Sequence, residues 1–226
     1  MSKINFYTNK NREISLLKEG LSNEDLKPLD EGVILKKVKE SETGKINESA
    51  LKEYVEEVYG LYGDKITKTA TEYQKSWNAI NESFFKLLKE KTGFDSPYES
   101  YKCHVSIFFK GLSDWGGNEI TRSWRENPFR MRKITAHELF IAYLWPHLEG
   151  NFPKEGEDKI WGMAELSAWT VLSYDQSFLE FWPWFIDYGG LRNYPHLNKH
   201  IEKSRSIYNN EKDFKNYLKS IKDLLA

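Results

Sequence analysis

Hydrophobic and polar positions along the chain alternate between two periods. Near the start, Ile4 and Phe6 alternate with polar neighbours, the two-residue period of a strand. Val33, Ile34, Leu35 and Val38 read as a further strand or a buried connector, set off by turns over 21–25 and 27–30 and a polar loop over 41–45. From Asn47, an N-cap residue, Leu51, Val55, Val58 and Tyr62 recur at spacings of three and four, and Gly60 with Gly63 is expected to close that helix. Tyr73, Trp77, Ile80, Phe84, Leu87 and Leu88 predict a second, longer helix over 67–91, stopped by Thr92-Gly93.

The period then changes. Tyr101, Cys103, Val105, Ile107 and Phe109 alternate with Lys102, His104, Ser106 and Phe108, which predicts a strand with one buried face. A turn over 111–117 leads to a short strand over 118–124 around Ile120. From Met131 helical spacing returns: Ile134, His137, Ile141, Leu144 and Trp145 share a face, and Pro146 is expected to end or bend that helix. Trp161, Glu165, Ala168, Trp169 and Leu172 mark the next helix, over 158–174. An aromatic run, Phe178, Phe181, Trp182, Trp184 and Phe185, precedes Gly189-Gly190 and two terminal helices over 196–209 and 211–225. The expected fold is α+β and mainly helical, a small antiparallel sheet packed on a long backing helix. Residues 1–45 are expected as an N-terminal strand and loop appendage to a domain over 46–226.

Composition narrows the class. With 226 residues the chain can bury a core without disulfides, and at 15% aromatic residues it is not a disordered one. A net charge of −1 disfavours a nucleic-acid binder that relies on bulk positive charge. Cys103 is the one cysteine, which excludes a cysteine-rich zinc site. No apolar run approaches a membrane span, and the first residues lack a signal-peptide core, so the expected location is cytoplasmic. No Walker or dinucleotide-binding loop occurs, nor a Gly-x-Ser-x-Gly elbow.

The candidate chemistry lies in Thr135-Ala136-His137-Glu138-Leu139-Phe140-Ile141 and Trp161-Gly162-Met163-Ala164-Glu165. His137 and Glu165 occupy the apolar stripes of consecutive helices joined by a turn, so they can meet. A buried carboxylate needs such a partner or a metal.

These segments resemble the zincin metallopeptidases of the gluzincin type, which use His-Glu-x-x-His on one helix and a Glu on the next. The preceding order of backing helix, strand and edge strand fits as well. The likeness covers about residues 65–225, with Trp161–Glu165, Thr170–Leu172 and Tyr194–His196 resembling segments of bacterial zincin-like proteins. By this resemblance His137 and Glu165 are metal ligands for zinc and Glu138 is the catalytic base. Asn118, Glu119 and Ile120 on the edge strand, with Ile141, line the cleft for a peptide or protein. The departure is Ile141, which stands where the second histidine belongs and cannot bind metal.

Three readings follow. In the first, His137 and Glu165 satisfy each other, and the vestigial cleft binds a partner without cleaving it. In the second, the chain is a working zinc peptidase with a substitute ligand. His104 is one candidate; His147 is another, about 15 Å along a straight helix from His137 and usable only if the chain turns back at Pro146. His196 and His200 are more distant candidates. In the third, the chain is an interaction protein with no metal site. Arg122, Arg125, Arg130, Arg132 and Lys133 form a basic cluster ahead of a helix N-terminus, where positive charge is mildly unfavourable; it reads as solvated surface or as a hold for an anionic group.

Overall fold

The computed structural model describes residues 2–23, 27–39, 45–113, 117–184 and 191–226. Mainly helical and α+β, it combines a four-stranded sheet with helices on both of its faces. The strands are β1 (Lys3–Tyr7), β2 (Ser100–Ser106), β3 (Gly111–Ser113) and β4 (Glu119–Ser123). Their spatial order is β1-β2-β4-β3.

The sheet is mixed, not antiparallel as the sequence suggested. β1 pairs parallel with β2, and β2 parallel with β4; only β3 runs antiparallel, against β4. The cause is connection length. A parallel neighbour needs a long crossover, and the whole helical segment between β1 and β2 supplies one. Within the expected appendage at 1–45, β1 pairs with β2 from Lys3↔Ser100 to Tyr7↔His104.

The four helices between β1 and β2 are α1 (Lys10–Ser22), α2 (Glu31–Val38), α3 (Glu48–Asn78) and α4 (Asn81–Thr92). α2 replaces the strand expected around Val33–Val38. It buries Ile34 and Val38, four residues apart, which is helical spacing. Asn47 caps α3 as expected, its side chain accepting from Ala50 N. Gly60 and Gly63 do not end that helix. Each glycine costs about 1 kcal/mol, and the buried flanks Val55 and Ile66 hold the helix through them. The break falls instead at 79–80, where Ile80 leaves helical geometry (φ −123°). α4 ends at Gly93, whose φ of 71° is the left-handed conformation that glycine adopts without strain.

β1 is an edge strand whose outer side is closed by α3 and the first residue of α4. Phe6 N donates to Gln74 Oε1 (2.9 Å), Gln74 Nε2 donates to Ile4 O (3.0 Å), and Asn81 Nδ2 donates to Ser2 O (3.0 Å). One sheet face carries Phe6 against Tyr73 and Trp77, and Tyr101 stacked on Phe85. The opposite face meets α1, where Arg12 pairs with Glu119 and fully buried Glu13 accepts from Ser106 Oγ and Ile107 N.

After β4 come α5 (Met131–Asn151), α6 (Glu157–Tyr174), α7 (Gln176–Leu179), α8 (Pro195–Asn198), α9 (Ile201–Asn210) and α10 (Phe214–Leu224). Pro146 lies inside α5 and does not end it. The sequence-expected turn over 111–117 is partly β3, and its residues 114–116 fall outside the described set, as do 185–190 of the aromatic and glycine run. Among the described residues no helix is long and apolar enough to cross a membrane.

Candidate functional site

α5 and α6 pack as an antiparallel pair, and α5 also lies against β3 and β4. Nearly all of α6 from Gly162 to Ser173 is buried, so Glu165 must find a partner within the fold. It finds His137: Nε2 donates to Glu165 Oε2 at 2.9 Å, with side chains 13% and 9% exposed. The ring sits edge-on to Trp169, one helical turn beyond Glu165, at 6.2 Å. His137 Nδ1 is buried with no hydrogen-bond partner among the described residues. The two residues that sequence reasoning placed on facing stripes therefore do meet.

Ile141, one turn beyond His137, is fully buried and offers only hydrocarbon. The substitute ligands do not approach. Because α5 continues through Pro146, His147 stays about 15 Å down the helix from His137. There it bonds Asp95 O (2.8 Å) and stacks on Phe94 (4.4 Å between ring centroids). His104 is buried on the α1 side of the sheet, its Nε2 3.4 Å from Glu13 Oε1. Cys103, its neighbour in β2, points to the side where Arg122 and Glu138 act on it, so His104 faces away from α5. His196 lies beside Trp161 and Tyr194. Among the described residues no three His, Cys, Asp or Glu side chains are placed to share a metal. Two donors and an isoleucine do not fit a catalytic zinc, which takes three protein ligands.

The expected binding residues Asn118, Glu119 and Ile120 require a correction. β4 is an interior strand: Ile120 pairs with Cys103 on one side and Ser113 on the other. Its backbone is used twice, so it cannot hold a substrate. Asn118 Nδ2 instead donates to Ser100 O, and Glu119 pairs with Arg12. Among the described residues the edge strand on this side of the sheet is β3.

The basic cluster also separates. Arg122 is 2% exposed and pairs with Glu126. Lys133 is 5% exposed, donating to Ser173 Oγ (3.1 Å), its ammonium 4.7 Å from the centre of the Trp169 ring. Only Arg125 and Arg130 are exposed. Arg122, expected only as one of a basic cluster, and Gly111, expected only in a turn, prove to lie close to Glu138. A Cβ on Gly111 would collide with Arg122 Nη1 and stand 3.2 Å from Glu138 Oε1. The missed signal was strand alternation, since Arg122 shares the inward register of Ile120. Burial is the main cause pushing the Cys103 thiol well up, with Arg122 opposing and Glu126, Glu138 and Glu119 adding to it.

Comparison with known proteins finds no matching family model, curated protein or solved structure.

Proposed function

We propose that this protein is zincin-like with a degenerate metal site, and that it binds an extended peptide or protein segment along the β3 edge beside α5 without cleaving it. The observation that carries this reading is the 2.9 Å bond from His137 Nε2 to Glu165 Oε2. Each group takes the place a metal would hold for the other, and Ile141 fills the position of the missing ligand. With two donors, no water would be activated at Glu138, so no hydrolytic step follows.

Support for binding comes from the sheet. Among the described residues β3 pairs on one side only, with β4, and an edge strand beside a helix accepts an extended chain by main-chain hydrogen bonds. The Glu138 carboxylate and the Arg122 guanidinium both lie beside Gly111 at the start of that edge.

The test is a titration of 15N-labelled protein with short uncharged peptides of Ala, Val and Thr, followed by NMR and by chromatography of the peptides. The expected result is shifted Gly111 and Leu112 amides with the peptides intact. Zinc-dependent cleavage, or peptides that leave β3 unshifted, would overturn the reading.

A further inference from the structure

We infer that the N-terminal end of α5 carries an anchor site for a peptide whose apolar side chain is flanked by carboxylates. Seven large apolar residues are conspicuously exposed among the described ones, and three of them gather at this end: Phe129 (58%), Ile134 (46%) and Trp184 (39%). Phe129 and Trp184 are in edge-to-face contact at 6.3 Å, forming a two-ring platform. Apolar surface of this kind clustered at one place marks an interaction site, and aromatic pairs are the usual anchors.

Charge selects the occupant. The 122–133 segment carries five cations and one carboxylate, Glu126, which Arg122 takes. Arg130 is exposed, and no described carboxylate pairs with it or with Arg132, whereas exposed Arg125 lies over the Trp124 ring (5.8 Å) and takes no part in the platform. Arg132 bonds the neutral Ser76 and holds its guanidinium 5.2 Å from the Phe129 ring centre. Arg132 on the Phe129 ring and exposed Arg130, next to Phe129 in the chain, have no described carboxylate partner, and such a pair of guanidiniums at an apolar platform complements an apolar side chain between acidic neighbours. α5 adds no acid in its first turn to offset them.

The inference rests on the β3-edge reading in one respect. Ile134 lies one turn before Glu138 on the same helix face, so a peptide along β3 continues onto the platform. The test uses the full chain and fluorescein-labelled Asp-Glu-Phe-Glu-Asp, read by anisotropy, with Lys-Lys-Phe-Lys-Lys as control. The expected result is saturable binding of the acidic peptide only, weakening at higher salt. Phe129→Ala with Trp184→Ser, and separately Arg130→Glu, should each weaken it about tenfold, while Arg125→Glu, over Trp124, should weaken it less. These positions are solvent-facing, and matching thermal melts check that the variants fold. If uncharged peptides shift β3 while the acidic peptide fails to bind, the anchor falls and the β3-edge reading stands. If neither binds, both fall. Self-association through the platform, or binding of anionic phosphatidylserine vesicles in place of the peptide, would overturn the peptide assignment.

Discussion

Gly111 and Arg122 are paired across β3 and β4 so that a side chain on the first would strike the guanidinium of the second. The guanidinium is buried and tied to Glu126, so it has little room to move. Gly111→Ala should destabilise the fold by about 1–3 kcal/mol, the range for overpacking. It should also weaken peptide binding at β3 beyond what the loss of folded protein explains. Denaturant titration and peptide NMR on the same sample separate the two. A variant as stable as the parent would show that Arg122 is freer than its burial implies.

His137 and Glu165 are each other's only described hydrogen-bond partner. Removing one leaves a largely buried polar group unsatisfied, so His137→Ala and Glu165→Ala should each lose about 1–3 kcal/mol. The double variant should lose less than the two losses combined. A double-mutant cycle in urea measures this, and strict additivity would mean the bond contributes nothing.

Asp175, after α6, joins three other parts of the chain. Lys91 Nζ (2.8 Å) and Tyr208 Oη (2.9 Å) meet its Oδ2, and Ser177 N (2.9 Å) donates to Oδ1. Burial raises its pKa, but the bonds from Lys91, Tyr208 and the Ser177 amide outweigh this and hold it below the ordinary value. The contribution to stability is therefore complete above the ordinary carboxylate range and is lost as pH falls through the lowered folded value. Asp175→Asn should lower stability at neutral pH and flatten the acid limb of the stability curve. Equal acid sensitivity in parent and variant would contradict this.

Gln74 protects the outer edge of β1 by bonding Ile4 O and Phe6 N. Gln74→Leu should expose those groups to strand pairing between molecules. Light scattering during mild heating should show earlier aggregation than in the parent, with only a small change in the unfolding midpoint.

Much of the fold was legible because local signals agreed with it. The Asn47 cap, the Gly93 stop and the stripes of α5 and α6 are written within a few residues of where they act. The pairing of His137 with Glu165 followed from two stripes joined by a short turn. What could not be read was long-range. Nothing near Lys3–Tyr7 says that β1 lies parallel to β2, because that partner arrives only after four helices. The insertion of β4 between β2 and β3 was equally hidden, and with it the burial of Arg122 and the true position of the edge. α5 continuing through Pro146 was the third, since its packing on α6, β3 and β4 outweighs the lost backbone bond.

Metal content tests the degenerate site most directly. Untagged protein, purified without chelator and supplied with micromolar zinc, would be analysed by elemental mass spectrometry beside Ile141→His, His137→Ala and Glu165→Ala. A site disabled by Ile141 should leave the parent without zinc, and Ile141→His should gain about one zinc per chain by completing three ligands. Near-stoichiometric zinc in the parent, lost in both His137→Ala and Glu165→Ala, would contradict the degenerate site and show that another residue completes it.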